Sequence, residues 1–508
     1  MEKGTERRAY LWIPPRCSHV RGVAIGLQNM LERSIFEDST IRAAIDASNM
    51  AIVWISPGAW PGKLAVAAQP DLAFSPPADA VEGVQHVLAA LARESGYSEI
   101  EFAPLLVVGH SAASPFVWGM ARALPKRVFA AFVYKGSAIE GAPFDVPFLQ
   151  VAQEWAEWGP KWGEVWRREF DTVAALRASE APRLGVFADI GSGHFDWHHP
   201  SAEVLAMFIR KAAEYRLPAN GPLQGPVELK PLSSDMGVLV DSASFGTSRF
   251  QAVPVGKWRG DSKKAFWYFD GEMAEAVQHF MQEGLDKKPE AIDFVVDGKH
   301  APLLENGFAV IHPAMLSDGV TFRVHAEGLD ASPTANLYGG ASLGHSSAPI
   351  QYWVSSGALL QTGLDTFQVV ARSGSMARQG MPWEPWIMAY RPGDREYRSA
   401  DKPAHILIDI RNAQGLPQQI AFPEIPDVDR SASGHITLYA TSSSGLPVQF
   451  YVESGPVSIE GNTLRILPIP PRSHYPVRVI VSAFQWGRQG EHPVQSAGPE
   501  TREFFIRR

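Results

Sequence analysis

Cysteine is almost missing from this chain: Cys17 is the only one in 508 residues. That excludes an internal disulfide framework and any metal site built from cysteines. No apolar stretch approaches the ~20 residues that a membrane-spanning helix needs. Basic runs are missing too, and the net charge is −8, which sets nucleic acid aside as a main partner. The opening MEKGTERRAYLW carries charge but lacks the apolar core of ~7–15 residues that marks a secretory signal. There is no strict internal repeat and no low-complexity tail. What is present is a 45% hydrophobic chain with 20% charged residues. At ~150 residues per domain this is material for two to four domains with substantial cores.

The first ~215 residues alternate strand-like and helix-like patterns, which predicts an α/β region. Continuous apolar runs occur at 22–27, 50–56, 104–110, 128–134, 146–152 and 183–189, and a shorter strand at 10–15. Helical periodicity runs over 35–49, 78–95, 113–124, 163–180 and 201–217. Strands that are apolar throughout, rather than alternating, imply a parallel sheet covered on both faces. A Gly/Pro-rich linker, ANGPLQGPVELKP (219–231), then changes the composition. Beyond it helix is scarce apart from 271–285, and short strands with regularly spaced turns suggest β-sandwich material. Three regions are expected: 1–220 as an α/β unit, 221–418 as a β-rich region, and 419–508 as a terminal β-sandwich.

The chemistry concentrates at PLLVVGHSAASPFVWGM. A buried strand enters Gly109-His110-Ser111-Ala112-Ala113 and leaves into a helix. This is the strand–tight turn–helix setting of a nucleophile elbow, which lifts a serine hydroxyl above the sheet edge. It also aims the N–H of Ala112 at a developing oxyanion. Ala113 replaces the second glycine of G-x-S-x-G. His110 flanks the nucleophile as a candidate substrate contact. A base is expected on the glycine-rich loop after the last strand, Ile190-Gly191-Ser192-Gly193-His194, with His198 and His199 as rivals. The acid is expected where the strand near 146–152 ends, at Glu154 first and Glu157 second, with Glu140 more remote. A second oxyanion donor is expected from the Gln28-Asn29-Met30 loop. Trp155, Trp158 and Trp197 are candidate cleft residues, whereas Trp162 and Trp166, four apart, read as one core face of a helix. The histidines of HFDWHH fit no metal-ligand spacing, so neither metal nor other cofactor is expected.

Taken together, the order strand, GHSAA, strand, acid loop, strand, GSGH, helix resembles the α/β-hydrolase superfamily over roughly the first 215 residues. The resemblance implies a mostly parallel sheet flanked by helices and a Ser-His-Asp/Glu triad, here Ser111, His194 and Glu154. Within the superfamily the chain is similar to secreted bacterial esterases of the polysaccharide-degrading kind. The run ATSSSGLPVQFYVESGPVSIEGNTL resembles bacterial Ig-like modules. The expected activity is hydrolysis of a carbohydrate ester or other small ester, in a secreted or periplasmic setting from which a leader has been removed, although a cytoplasmic protein would also begin this way. Two other activities remain open at this point: a peptidase or other acyl hydrolase of the same fold, and an inactive hydrolase-like protein that binds carbohydrate.

Overall fold

The structure is a computed structural model describing residues 8–56, 78–155, 165–301, 309–331, 342–374, 385–409, 412–430, 435–490 and 492–508. Seven strands form its largest sheet: β1 (Arg8–Trp12), β2 (Gly22–Leu27), β3 (Met50–Ser56), β4 (Leu105–His110), β5 (Val128–Tyr134), β6 (Phe148–Gln153) and β7 (Leu184–Asp189). Their order is β1-β3-β2-β4-β5-β6-β7. Only β1 runs antiparallel to its neighbour. Every residue of β2 through β7 is buried, as the continuous apolar runs require of strands covered on both faces. Truncating one such residue, for example Leu106→Ala, would cost about 2–5 kcal/mol.

Six helices accompany this sheet: α1 (Glu32–Glu37), α2 (Ser39–Ala47), α3 (Ala78–Ser95), α4 (Ser114–Ala123), α5 (Val165–Ser179) and α6 (Ser201–Arg216). The single helix expected over 35–49 is two. Asp38 sits between them with extended backbone (φ −60°, ψ 131°), and its carboxylate accepts from the N–H groups of Thr40 and Ile41. That side-chain cap stabilises a fresh helix start and breaks the continuous pattern. Strand order, parallel pairing and βα alternation make the N-terminal region an α/β-hydrolase fold. Its functional loops lie at the carboxyl ends of the strands.

Residues after the linker do not all leave this unit. Strands Val238–Asp241, Val253–Pro254 and Ala265–Tyr268 form a small sheet, followed by α7 (Gly271–Leu285). Val240, Phe266, Tyr268, Val277 and Met281 belong to the same hydrophobic core as the large sheet. The Tyr268 hydroxyl donates to the Val186 carbonyl at 2.5 Å. A second core gathers residues from Ile292 to Ile406, joined by Tyr451, Phe484 and Trp486, around a four-stranded sheet that includes Gln351–Ser356, Trp386–Arg391 and Ala400–Ile406. The chain closes with a β-sandwich. Its sheets meet over Leu464, Val479, Val481 and Phe504. Arg472 ties this sandwich back to the hydrolase unit by a two-pronged ion pair with Glu99 (2.7 and 3.1 Å).

Candidate active site

Strand β4 ends at His110 and α4 begins at Ser114, so the chain must reverse within three residues. Ser111 takes the strain, with φ +51°, a conformation uncommon outside glycine and diagnostic of the elbow turn. A Cβ at Gly109 would lie 2.7 Å from Val117 Cγ2 and 2.9 Å from the Ala113 methyl. Glycine at 109 therefore leaves the room that Ala113, in place of the motif's second glycine, occupies. The Ser114 hydroxyl donates to the Ser111 carbonyl at 2.5 Å and helps fix the turn.

Facing the turn is the loop after β7. Ser111 Oγ–H donates to His194 Nε2 at 2.7 Å, so the expected nucleophile–base pair stands within hydrogen-bond reach. His194 Nδ1–H donates to Gln153 Oε1 at 3.0 Å. An amide therefore meets the imidazole where Glu154 was expected. The reason is strand parity: Gln153 is the last residue of β6, and the next side chain points the other way. Glu154 instead accepts from the Gly191 N–H (2.7 Å) and from Arg398 Nη2 (2.6 Å), which makes it a brace for the histidine loop. Burial, the neighbouring His110 ring and the Lys135 charge hold His194 well below the usual histidine range. It is a neutral imidazole with its Nε2 lone pair toward the serine.

Below the loop lies a buried ionic cluster that the sequence reading missed. Lys135, itself at φ +49°, reaches Asp189 Oδ2 at 3.0 Å and donates to Ser192 Oγ and Asp196 Oδ1. Asp196 also accepts from Ser192 Oγ (2.5 Å) and the Gly193 N–H (3.1 Å), closing the loop on itself next to His194. Asp401, on strand Ala400–Ile406, carries a buried carboxyl close to Asp196. Burial and then the Asp196 charge raise Asp401 well above the usual carboxylate range. Burial opposes ionisation of Asp196, but Lys135 brings it below its ordinary value.

The rival histidines point elsewhere. His198 Nδ1 pairs with Asp189 Oδ1 at 2.5 Å, and His199 Nδ1 with Asp38 Oδ2 at 2.9 Å. A carboxylate–histidine pair thus exists, on the wrong histidine for Ser111. His110, expected at the substrate, is wholly buried because its side chain turns inward from β4. It donates from Nε2 to the His194 carbonyl at 3.0 Å, and burial lowers it to about 3. Trp155 and Trp197 are buried as well, not displayed in an open cleft. The indole N–H of Trp197 is bound to Asp38 at 3.1 Å. Trp166 packs in the core, as its helical spacing predicts. Glu157, Trp158 and Trp162 lie outside the described residues.

On the oxyanion side, Ala112 is exposed at the mouth of the turn. The Gln28–Asn29–Met30 loop is already hydrogen-bonded. The Gln28 N–H donates to the Ile55 carbonyl, and the N–H groups of Asn29 and Met30 donate to Glu32 Oε2 at 2.8 and 3.0 Å. Gln28's amide is also occupied, by Met30 O, the Arg33 N–H and Trp54 Nε1. Asn29 Nδ2 donates to the His110 carbonyl at 3.0 Å, which puts its amide beside the residue preceding Ser111. Glu32 Oε1 accepts from the His110 N–H at 2.7 Å. Burial raises Glu32 to about 7, against these three N–H bonds. Among the described residues no group of three or more His, Cys, Asp or Glu is arranged to hold a metal ion.

No family model and no curated protein matches the sequence. Similar solved structures include an S-formylglutathione hydrolase from Agrobacterium tumefaciens, at 12% identity over 41% of this chain and 90% of that one, TM-score 0.29. Another is alpha/beta hydrolase domain-containing protein 10 from mouse, at 11% identity over 42% and 96%, TM-score 0.27. A third is a sugar hydrolase from Lactococcus lactis, at 9% identity over 41% and 94%, TM-score 0.26.

Proposed function

We propose that the protein is a serine hydrolase that cleaves carboxylic esters through an acyl-enzyme. The observation that carries this reading is Ser111 at φ +51° with His194 Nε2 2.7 Å from its hydroxyl. In the reaction Ser111 Oγ attacks the ester carbonyl while His194 takes its proton. The imidazolium then protonates the leaving alcohol, and water activated by the same nitrogen releases the acid. Ala112 N–H is the first oxyanion donor, and the second amide hydrogen of Asn29 is the second. Gln153 helps fix the tautomer through its Oε1, which accepts from His194 Nδ1–H.

The substrate class we favour is a carbohydrate-linked ester, with acetyl, feruloyl or methyl uronate groups as acyl components. The β-rich region and the terminal β-sandwich support it, because such modules accompany enzymes acting on polymers, and with it a secreted or periplasmic setting. No helix among the described residues is long and apolar enough to cross a membrane. A second reading, a carbohydrate-binding protein on a hydrolase scaffold without turnover, is favoured by the neutral Gln153 amide at His194 Nδ1. Hydrolysis of p-nitrophenyl acetate by wild type and Ser111→Ala, with acetylated and feruloylated oligosaccharides alongside, separates them. Turnover lost in the mutant establishes the serine hydrolase. Equal rates in both proteins, or none in either, remove Ser111 as nucleophile.

A further inference from the structure

Between α1 and the β-rich region is a cavity of about 310 Å³ on whose wall neither Ser111 nor His194 appears. Its charged groups are nearly all matched. Arg33 pairs with Glu37 at 2.9 Å and lies over the Trp54 ring, 5.2 Å from its centroid. Asp38 is satisfied by His199, by Trp197 Nε1 and by two backbone N–H groups of α2. Arg372 is the exception. It lines the cavity half-buried, and among the described residues it has neither a hydrogen bond nor an ion pair. Burial and then the like charge of Arg33 weigh against its protonated form, while the Glu37 carboxylate, already paired with Arg33, favours it. Two guanidinium groups, Arg33 and Arg372, thus share the one Glu37 carboxylate; a partly desolvated guanidinium without a hydrogen-bonded partner is unfavourable, and five N–H donors in a planar fork suit a carboxylate.

The rest of the wall narrows the ligand. Trp54, Trp197, Val354 and Leu359 give it an apolar side. Ser34 and Ser356 spend their hydroxyl hydrogens on Ser355 O and Met30 O, which leaves their oxygens as acceptors. Gln361 donates from Nε2 to Leu364 O and keeps its carbonyl oxygen as an acceptor. A matching ligand therefore has one carboxylate, several hydroxyl donors and an apolar face. We propose that this cavity binds a uronic acid residue, with its carboxylate on Arg372. The site adjoins both loops of the candidate active site, since Gln28 and Trp197 form part of its wall. It does not depend on Ser111 acting as a nucleophile.

Calorimetric titration of the full chain with sodium glucuronate, glucose and sodium acetate tests this. Glucuronate is expected to bind saturably, and glucose and acetate each at least about tenfold more weakly, the loss of one charge-assisted contact. Arg372→Gln should weaken glucuronate about tenfold or more with an unchanged melting temperature. Ser111→Ala should bind as wild type does, so that failure of the hydrolase reading leaves this result standing. Should Arg372→Gln not fold, Leu360→Trp, which fills the cavity from a half-exposed position on its wall, must abolish binding instead. The proposal is overturned by no saturable glucuronate binding, by glucose or acetate binding equally well, or by binding that survives substitution of Arg372 or filling of the cavity.

Discussion

The two halves of the candidate catalytic pair are built in opposite ways. The elbow around Ser111 is closed by its immediate neighbours: Gly109 makes room for Ala113, and Ser114 caps the Ser111 carbonyl. The His194 loop, by contrast, is held by residues from across the chain. Glu154 and Arg398 brace Gly191, and Lys135 and Asp401 enclose Asp196. Ser355 accepts from the Trp197 N–H and donates to the Phe195 carbonyl, while Trp386 stacks on the Phe195 ring at 4.7 Å. Four of these supports, Ser355, Trp386, Arg398 and Asp401, come from the β-rich region. The nucleophile's turn is thus held by its neighbours and by Asn29 and Glu32 on the His110 backbone, whereas the base depends on tertiary contacts more than 200 residues away in sequence.

That contrast can be tested at both ends. The largest effect is expected from Ser111→Ala, which should lower kcat/KM for p-nitrophenyl acetate by at least about a thousandfold without altering the melting temperature. Next comes Arg398→Ala, which leaves Glu154 as a buried carboxylate without that partner. A loosened His194 loop should reduce kcat by about 10–100-fold with little change in KM, and Arg398→Lys should restore part of it. An Arg398→Ala protein with unchanged kcat would show that the loop keeps its geometry without the β-rich region.

Gln153→Glu sharpens the comparison in the other direction. In wild type, burial, His110 and Lys135 lower His194, so the acid limb of the kcat/KM profile should lie below the ordinary histidine value of 6.5. A carboxylate at 153 would favour the imidazolium, move that limb upward by roughly one pH unit and raise the rate above it about tenfold.

The smallest effect on turnover, and a clear one on stability, is expected from Glu32→Gln. Its carboxyl is raised to about 7 from 4.5, so the native state holds a proton that the unfolded chain has already released. Glu32 therefore favours the native state below pH 4.5, and that contribution is lost as the pH rises through about 7. The loss is on the order of 3 kcal/mol. Glu32→Gln should flatten this part of the stability profile in denaturant titrations at pH 5 and pH 8.

Much of the α/β region was legible in the sequence because its signals are local. β2, β3, β5, α3 and α7 occupy the expected residues, since apolar runs and helical periodicity report burial directly. The break at Asp38 was also written there, as Asp-Ser-Thr, but as a capping signal inside a longer periodic pattern. Ser111 and His194 were recognisable from their places in the strand–turn–helix order. The groups that meet them were not. Gln153 and Glu154 are adjacent, and their facing depends on where β6 stops, which a shift of one residue reverses.

By itself, then, the sequence determined the order of strands and helices, the elbow that presents Ser111 and the glycine-rich loop that carries His194. Each of these follows from the chemistry of a few consecutive residues. Only the tertiary structure decided that an amide meets the base, that Glu154 and Arg398 form a brace, that Asp401 comes close to Asp196 and that Arg372 faces a cavity without a hydrogen-bonded partner. Those outcomes rest on which side chains converge from distant strands into one desolvated space, where each polar group must find a partner and no local pattern says which.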